Sequence, residues 1–398
     1  MPDARWISFE ELQARQAEWR ALAAASEFPT AFADPGWVLS WWRSYGAGHE
    51  PWTFVQENAD GSLRALAPLA LGSSRLTRTL IFAGGSWNGL ETLLCAPQAE
   101  AEFVEPLLAA LAERRGEWDT WRIQRLRIEA VLARVLLDGG GRLRATAHDL
   151  RLQPYLLLPS GVEDFEAQFG SKQRSTQRRK WRKLSELGAQ AGVVEEPAAV
   201  EATMRELLAL RRSRAAAQGQ RHAHMEATYE SFLLEAVQGL LPDGARLWRL
   251  DLDGQLLASR LNLLQGPREH SYLLGLGEAH ANLSPGNSLE LQAINEAIRQ
   301  GRGEFELGPG RDEYKYRLGG VDRTVARLVT PSPTARGRAL TSLAAADLRL
   351  RDSTAAEALR RRGSGGTSER AGAGRHAAQG EKGQQQAAAA PATSASES

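Results

Sequence analysis

The chain has very little cysteine and almost no net charge, and both shortages limit what it can be. Cys95 is the only cysteine among 398 residues, so neither an intrachain disulfide nor a cysteine-based metal site can form. The seven histidines lack a helical ligand spacing, since His222 and His224 are merely neighbours in a loop-like stretch. A formal charge of +1 excludes a generally polycationic or acidic protein. We therefore expect no metal site and no DNA partner.

Long apolar runs are also missing. No stretch approaches the roughly 18 apolar residues that a membrane-spanning helix needs. The amino terminus has no basic segment followed by an apolar run, so it does not resemble a secretory signal. Hydrophobic content of 42% and charged content of 24% are ordinary for a globular protein. Together these features predict a soluble, cytoplasmic protein without a membrane span.

Hydrophobic periodicity predicts two lobes with the same order of elements. Residues 1–158 read as a helix, a hairpin, a third strand that ends in glycines, a helix and a strand. Residues 159–330 repeat this order, with the hairpin turning at Asp253-Gly254. The pattern predicts an α/β (α+β) fold with a duplicated architecture.

The carboxyl-terminal part of the chain differs in composition. Residues 331–362 have the weak apolar periodicity of a peripheral helical segment. Residues 363–398 consist of small, polar and charged residues and contain no large apolar side chain. Such a segment buries too little surface to offset its ordering entropy, so we predict a disordered tail.

A helix start in the second lobe has the composition of an anion site. Ser284 is a plausible helix cap, Pro285 suits the first helical turn, and Gly286 removes side-chain bulk. The backbone N–H groups of Gly286, Asn287 and Ser288 would then hold a phosphate or pyrophosphate with the help of the helix dipole. A plain helix cap is the alternative explanation.

Two glycines lie in the strand before this helix. Gly275 and Gly277 would weaken a strand, and such glycines often mark the close approach of a ligand or of another backbone. We expect the strand that ends near Gly277 and the strand that ends near Gly308 to diverge and admit a ligand. A β-bulge without a ligand is the alternative.

Basic residues are concentrated in one predicted helix, and a single arginine lies within a predicted apolar strand. Residues 171–183 contain seven lysines and arginines and no acid. A solvated helix face is the ordinary explanation, and a phosphate-rich ligand, an anionic polymer or RNA are the functional ones. Arg260 interrupts the otherwise apolar strand 256–264. It is a candidate for holding an acidic group, although we favour the solvent face of the hairpin.

The loop from Gly310 to Gly320 concentrates chemically active side chains. It follows the strand pattern 304–307 and carries carboxylates, phenols and an amine between glycines. Loops at strand ends are where α/β proteins place chemistry. A solvated charged loop is the alternative.

Four segments in this order resemble the GNAT acyltransferase superfamily. They resemble more closely its BioF2-like/CelD (cellulose biosynthesis protein) branch, which is related to the Fem-type aminoacyl transferases. The segments are 171–188, 210–219, 283–288 and 310–319, and residues 31–42 are similar to the opening of that branch. The resemblance implies two tandem GNAT-like domains, each a mixed, largely antiparallel sheet flanked by helices. It also implies that residues 1–158 form a degenerate domain and residues 159–330 the active one.

The resemblance implies an N-acyltransferase that moves an acetyl or acyl group from acyl-CoA, as co-substrate, to an amine. The acceptor would be a small molecule or a glycan, such as an amino sugar or a polysaccharide precursor. Ser284-Pro285-Gly286 replaces the usual Arg/Gln-x-x-Gly-x-Gly/Ala loop. A Fem-like transferase that uses aminoacyl-tRNA therefore stays an alternative, as does a non-catalytic accessory protein of polysaccharide biosynthesis. No sustained apolar heptad indicates the coiled-coil arm of the Fem type, so we do not favour RNA.

Acyl transfer to an amine would give roles to the residues of this loop and its neighbours. The reaction needs a neutral amine, an oxyanion stabiliser and a proton for the leaving thiolate. Tyr314 is the candidate acid, because a phenol with a pKa of about 10 suits that transfer. Asp312 or Glu306 would accept the amine proton, and Lys315 would stabilise a phosphate or the oxyanion. Backbone N–H groups near Gly275–Gly277 would hold the thioester oxygen.

Overall fold

The structure is a computed structural model that describes residues 3–85, 89–139, 141–217 and 227–342. The strands in the first half of the chain are β1 (Asp3–Ile7), β2 (His49–Glu57), β3 (Leu63–Ser73), β4 (Arg78–Phe82), β5 (Leu94–Cys95), β6 (Thr120–Arg127) and β7 (Thr146–Leu157). Those in the second half are β8 (Gln190–Val194), β9 (Ala245–Leu252), β10 (Gln255–Gln265), β11 (Arg268–Leu276), β12 (Glu304–Glu306) and β13 (Val321–Pro331).

Helices flank these strands. In the first half they are α1 (Phe9–Ala14), α2 (Gln16–Ala25), α3 (Pro35–Tyr45), α4 (Glu100–Glu113) and α5 (Val131–Asp138). In the second half they are α6 (Val162–Ala167), α7 (Ser171–Glu186), α8 (Pro197–Ala217), α9 (Ala227–Leu240), α10 (Pro285–Arg299) and α11 (Glu313–Arg317). None of the helices in the described ranges is long and apolar enough to cross a membrane.

The strands form one mixed sheet, and the pairing pattern is the same when the sheet is followed from either edge to its centre. From one edge the order is β1-β2-β3-β4-β6-β13, and from the other edge it is β8-β9-β10-β11-β12-β7. Neighbours in both series pair antiparallel, except that β4 pairs parallel with β6 and β11 pairs parallel with β12. This arrangement confirms the predicted α/β fold, in which a mixed, largely antiparallel sheet is flanked by helices.

Each series is completed by a strand from the other half of the chain. β7 pairs with β12, and β13 pairs with β6. These two exchanged strands pair with each other and join both series into one sheet. Separating the halves would expose unpaired N–H and C=O groups on both sides. The predicted boundary between residues 158 and 159 falls just after β7, and the division into two domains stays a prediction.

β10 is buried along nearly its whole length because helices cover both of its faces. Leu257 and Ala258 pack in a core with Leu289 of α10, whereas Leu261 packs in a core with Met204 of α8. Covering on both faces buries the polar side chains of Ser259, Arg260 and Asn262 together with the apolar side chains of β10.

The halves also meet where α3 crosses α9. A β-carbon on Gly36 would lie 2.3 Å from the carbonyl oxygen of Gly239, and one on Gly239 would lie 3.0 Å from Cα of Gly36. Trp37, next along α3, packs edge-on against Phe232 of α9 with ring centroids 4.9 Å apart. The close crossing therefore depends on two glycines.

Two predictions for the carboxyl-terminal region are described only in part. Residues 335–342 are helical, and the predicted peripheral helical segment, 331–362, stays a prediction. The remainder of that segment and the predicted disordered tail, 363–398, lie outside the described residues. The same holds for His222 and His224.

Gly36→Ala is expected to destabilise the protein by about 1–3 kcal/mol, since overpacking a close contact forces the backbones apart. Gly116→Ala is the matched control, because a β-carbon there meets no atom within 4 Å. Chemical unfolding of both variants measures the difference. Equal stability of Gly36→Ala and the control would contradict the close crossing.

Candidate active site

A cleft of about 610 Å³ lies between α7 and α10 in the second half of the chain. Side chains of α6 and α11 complete its lining. One part of the wall is apolar and includes Phe165, Phe169 and Leu318, while α7 contributes basic side chains such as Lys172 and Lys180. A concave site with an apolar wall and a few polar groups is typical of ligand binding.

The start of α10 faces this cleft, but Ser284 does not cap it. Pro285 occupies the first helical turn as predicted, whereas the expectation that the Ser284 side chain caps the helix is wrong. Ser284 has φ +53°, and its hydroxyl accepts a hydrogen bond from Nζ of Lys180 at 2.6 Å. The serine therefore ties the basic helix α7 to the start of α10.

Two backbone N–H groups at this helix start have no hydrogen bond to any described residue. They belong to Gly286 and Asn287, whereas the Ser288 N–H donates to the carbonyl of Ser284 at 3.1 Å. A β-carbon on Gly286 would lie 2.5 Å from Cδ2 of Leu276, so glycine allows the helix start to press against the end of β11. Of the three N–H groups predicted to hold an anion, two are therefore without a partner among the described residues, and the anion site stays a prediction.

Gly275 and Gly277 lie where the backbone of β11 and its end come close to neighbouring backbone segments. A β-carbon on Gly275 would lie 2.9 Å from the carbonyl oxygen of Leu207 in α8. One on Gly277 would lie 3.0 Å from the carbonyl oxygen of Leu256 in β10. Neither glycine lines the cleft. Packing explains both of them, and their contact with a thioester oxygen stays a prediction.

β11 and β12 diverge beyond a short ladder, as expected from the sequence. Their last paired residues are His270 and Glu306, although β11 continues to Leu276. Beyond β12 the chain bonds to β7 instead, where the Leu307 N–H donates to the carbonyl of Pro154 at 3.0 Å. A fork therefore opens in the sheet next to α10.

The predicted loop after β12 contains the short helix α11. Tyr314 of this helix lines the cleft, whereas Lys315 is buried away from it. Lys315 is only 1% exposed and donates from Nζ to the carbonyl oxygens of Gly308, Pro309 and Gly310 at 3.1, 2.7 and 3.2 Å. Nζ also lies 3.1 Å from Asp312 and 6.0 Å from the Tyr314 ring centre. Burial lowers the pKa of Lys315, and Asp312 opposes that shift.

Glu306 is similarly enclosed. It is 2% exposed, forms an ion pair with Arg323 and accepts a hydrogen bond from Nε2 of Gln153 at 3.2 Å. Burial raises the pKa of Glu306, and Arg323 opposes the shift. Glu306, Asp312 and Lys315 do not line the cleft. The structure thus brings Tyr314, Ser284, Asn287 and Ser288 to the cleft and places the other predicted catalytic residues behind its wall.

Sequence reasoning misplaced Arg260 and missed Glu290. Arg260 is fully buried, so its expected position on the solvent face of the hairpin is wrong. The reason is that α10 covers this face of β10, and Arg260 pairs there with Glu290 of α10 at 2.9 Å. A charged side chain inside a buried strand needs a buried partner of opposite charge. The position of Arg260 in an apolar strand was therefore the one feature of the sequence that could have indicated a buried acid such as Glu290.

The described residues hold no cluster of histidine, cysteine, aspartate or glutamate that suits a metal ion.

Residues 171–316 match the family model described as an acetyltransferase (GNAT) domain. The matched range begins with α7, includes α10 and ends in α11, so it contains the cleft and Tyr314. This segment of the chain is thus similar to a GNAT-type acetyltransferase domain. No curated protein matches the sequence significantly.

Similar solved structures include FemX, with a TM-score of 0.59 and 10% identity over 81% of this chain and 96% of that chain. The C-terminal domain of a putative lysylphosphatidylglycerol synthetase from Agrobacterium fabrum gives a TM-score of 0.53 and 14% identity over 84% and 96%. A conserved protein of unknown function from Bacteroides thetaiotaomicron gives 0.50 and 12% over 83% and 100%. At these identities the similarity shows the fold alone.

Lys315→Met is expected to destabilise the protein by about 3–5 kcal/mol, because it leaves a buried Asp312 without its ion-pair partner. Lys183→Met, an exposed change on α7, is the control for the loss of one lysine. Unfolding in urea measures both variants. A Lys315→Met protein as stable as wild type would show that the lysine does not hold the loop after β12.

Proposed function

We propose that the protein is an N-acyltransferase that moves an acyl group from acyl-CoA to an amine. The observation that carries the proposal is that one cleft joins a helix start with two available N–H groups, a lysine and a tyrosine. GNAT chemistry needs an anion site for the donor and an acid for its leaving thiolate. The match of residues 171–316 to the GNAT family supports this reading.

The start of α10 would bind the pyrophosphate of the donor. The N–H groups of Gly286 and Asn287 and the dipole of a 15-residue helix favour an anion there. Lys180, already bound to Ser284 in the cleft, adds a positive charge at the same place. A charge-assisted hydrogen bond from Lys180 to a phosphate oxygen is stronger than its bond to a neutral hydroxyl.

The apolar wall of the cleft would hold the uncharged arm of the donor. Phe165, Phe169 and Leu318 lie on the same cleft as the helix start and Tyr314. An arm that packs on these side chains would carry the thioester from the phosphate site toward Tyr314.

Tyr314 would protonate the leaving thiolate. The amine nitrogen attacks the thioester carbon, the C–S bond breaks, and the sulfur takes the phenolic proton. Lys315 would act on this step by position, because it fixes the carbonyls of residues 308–310 and thereby the start of α11. Its positive charge near the Tyr314 ring would also stabilise the transient phenolate.

We further propose an amino sugar or a polysaccharide precursor as the acceptor. This part rests on the resemblance of the sequence to the BioF2-like/CelD branch.

One observation favours a second candidate, a transferase that takes its acyl group from aminoacyl-tRNA. Exposed cations lie along α7, which forms one wall of the cleft, and a polyanion binds such a surface through its phosphates. These cations are Lys172, Arg178, Arg179, Arg182 and Lys183. Binding of tRNA that weakens steeply with salt, without binding of acetyl-CoA, would favour this candidate.

Tyr314→Phe tests the proposed function. We expect acetyl-CoA to bind wild type and variant equally in calorimetry, while kcat for acetyl transfer to glucosamine falls by about 10²–10⁴-fold, the usual contribution of a general acid. Tyr316→Phe is the matched control, since the Tyr316 hydroxyl donates to Asp322 at 2.8 Å and does not line the cleft. Failure of wild type to bind acetyl-CoA would contradict the proposal, as would an unchanged kcat in Tyr314→Phe.

A further inference from the structure

Among the acidic residues that line the described part of the cleft, Glu290 is the buried one. It is 4% exposed and belongs to the lining. Glu166 also lines the cleft, but it pairs at 2.6 Å with Arg178, whose side chain is 71% exposed, so it lies at the rim. Asp312 and Glu306, the acids favoured by the sequence, do not line the cleft. An amine in the cleft would therefore meet Glu290 first.

Arg260 connects Glu290 to the fork between β11 and β12. Its Nη2 donates to Oε1 of Glu290 at 2.9 Å and to Oγ of Ser271 at 2.5 Å. Ser271 is the first residue of β11 beyond the last rung of the parallel ladder. The ion pair therefore lies where the sheet opens, beside the cleft that holds Tyr314.

Stability does not explain this ion pair. Arg260 is fully buried, and its Nε and Nη1 have no hydrogen-bond partner in the described parts of the chain. A buried pair with unsatisfied donors is often no more stable than two apolar side chains of similar volume. Groups that break the rules of packing in this way are concentrated at functional sites.

We propose that Glu290 binds the ammonium group of the acceptor and takes its proton, while Arg260 positions the carboxylate. This inference rests on the proposed acyl transfer and names the acceptor class as a protonated primary amine. Simple amines are protonated at neutral pH, with a pKa of about 10 for lysine, so one proton must leave before nitrogen can attack.

The protons balance as follows. Glu290 takes the first proton from the ammonium and later releases it to solvent. The neutral nitrogen forms the C–N bond as the C–S bond breaks, and the thiolate takes the proton of Tyr314. The second nitrogen proton then restores the Tyr314 phenol, so the products are an amide, a thiol and one released proton.

Glu290→Gln keeps the shape of the side chain and removes its charge. With acetyl-CoA and glucosamine, we expect kcat/KM for the amine to fall at least 100-fold at pH 7 and to recover in part as pH rises, because solution then supplies neutral amine. Binding of acetyl-CoA, measured by calorimetry, stays within about twofold of wild type. Glu296→Gln, on the same helix but outside the cleft lining, should leave kcat/KM unchanged.

A second variant covers the case in which Glu290→Gln fails to fold, since it leaves Arg260 buried without a counterion. Arg260→Met/Glu290→Gln removes both charges and should fold, bind acetyl-CoA and show the same loss and the same pH profile. Arg260→Lys, which loosens the carboxylate without removing it, should raise KM for glucosamine more than it lowers kcat.

The outcomes separate the two proposals. Wild-type kcat/KM and pH profile in a folded Glu290→Gln or double variant would overturn the role of Glu290 and leave acyl transfer intact. A wild-type protein that does not bind acetyl-CoA, or that acetylates no amine, would overturn both.

Discussion

The antiparallel ladder between β7 and β13 is the constraint on which the rest of the structure depends. Each of these strands completes the series of the opposite half, so neither half satisfies its own central backbone groups. The ladder makes two similar units into one sheet, and the two halves also meet where α3 crosses α9 at Gly36 and Gly239. With the sheet fixed at its centre, β12 is held by β7 on one side and can part from β11 on the other.

The candidate site forms where β11 and β12 diverge. Beyond Glu306 the chain bonds to β7, and the ammonium of Lys315 gathers three successive carbonyls, so the path of the chain away from β11 is fixed. Gly286 lets α10 begin directly against the end of β11. The basic helix α7 then lies over the helix start through Lys180 and Ser284. Through these contacts the start of α10, the apolar wall and Tyr314 come to share one cleft.

Several parts of this arrangement were readable in the sequence and others were not. The Asp253-Gly254 turn between β9 and β10, the Pro285 helix start and the glycine-bounded loop predicted the elements, because those signals are local. Strand exchange was not predicted, since β7 and β13 were missing from the predicted elements and only long-range pairing assigns their neighbours. For the same reason Arg260 was placed in solvent: the helix that covers it lies 25 residues further along the chain. Lys315 is a residue type that is common in catalytic loops. In the structure, however, its side chain is buried and its ammonium group donates to three backbone carbonyls outside the cleft.

We propose that the start of α10 holds the phosphates of an acyl-CoA donor in the cleft beneath α7. A crystal structure of the protein with coenzyme A is the most direct test. We expect pyrophosphate oxygens within hydrogen-bonding distance of the Gly286 and Asn287 N–H groups, with Nζ of Lys180 moved from Ser284 to a phosphate. Coenzyme A bound elsewhere on the protein, with Lys180 still on Ser284, would contradict it.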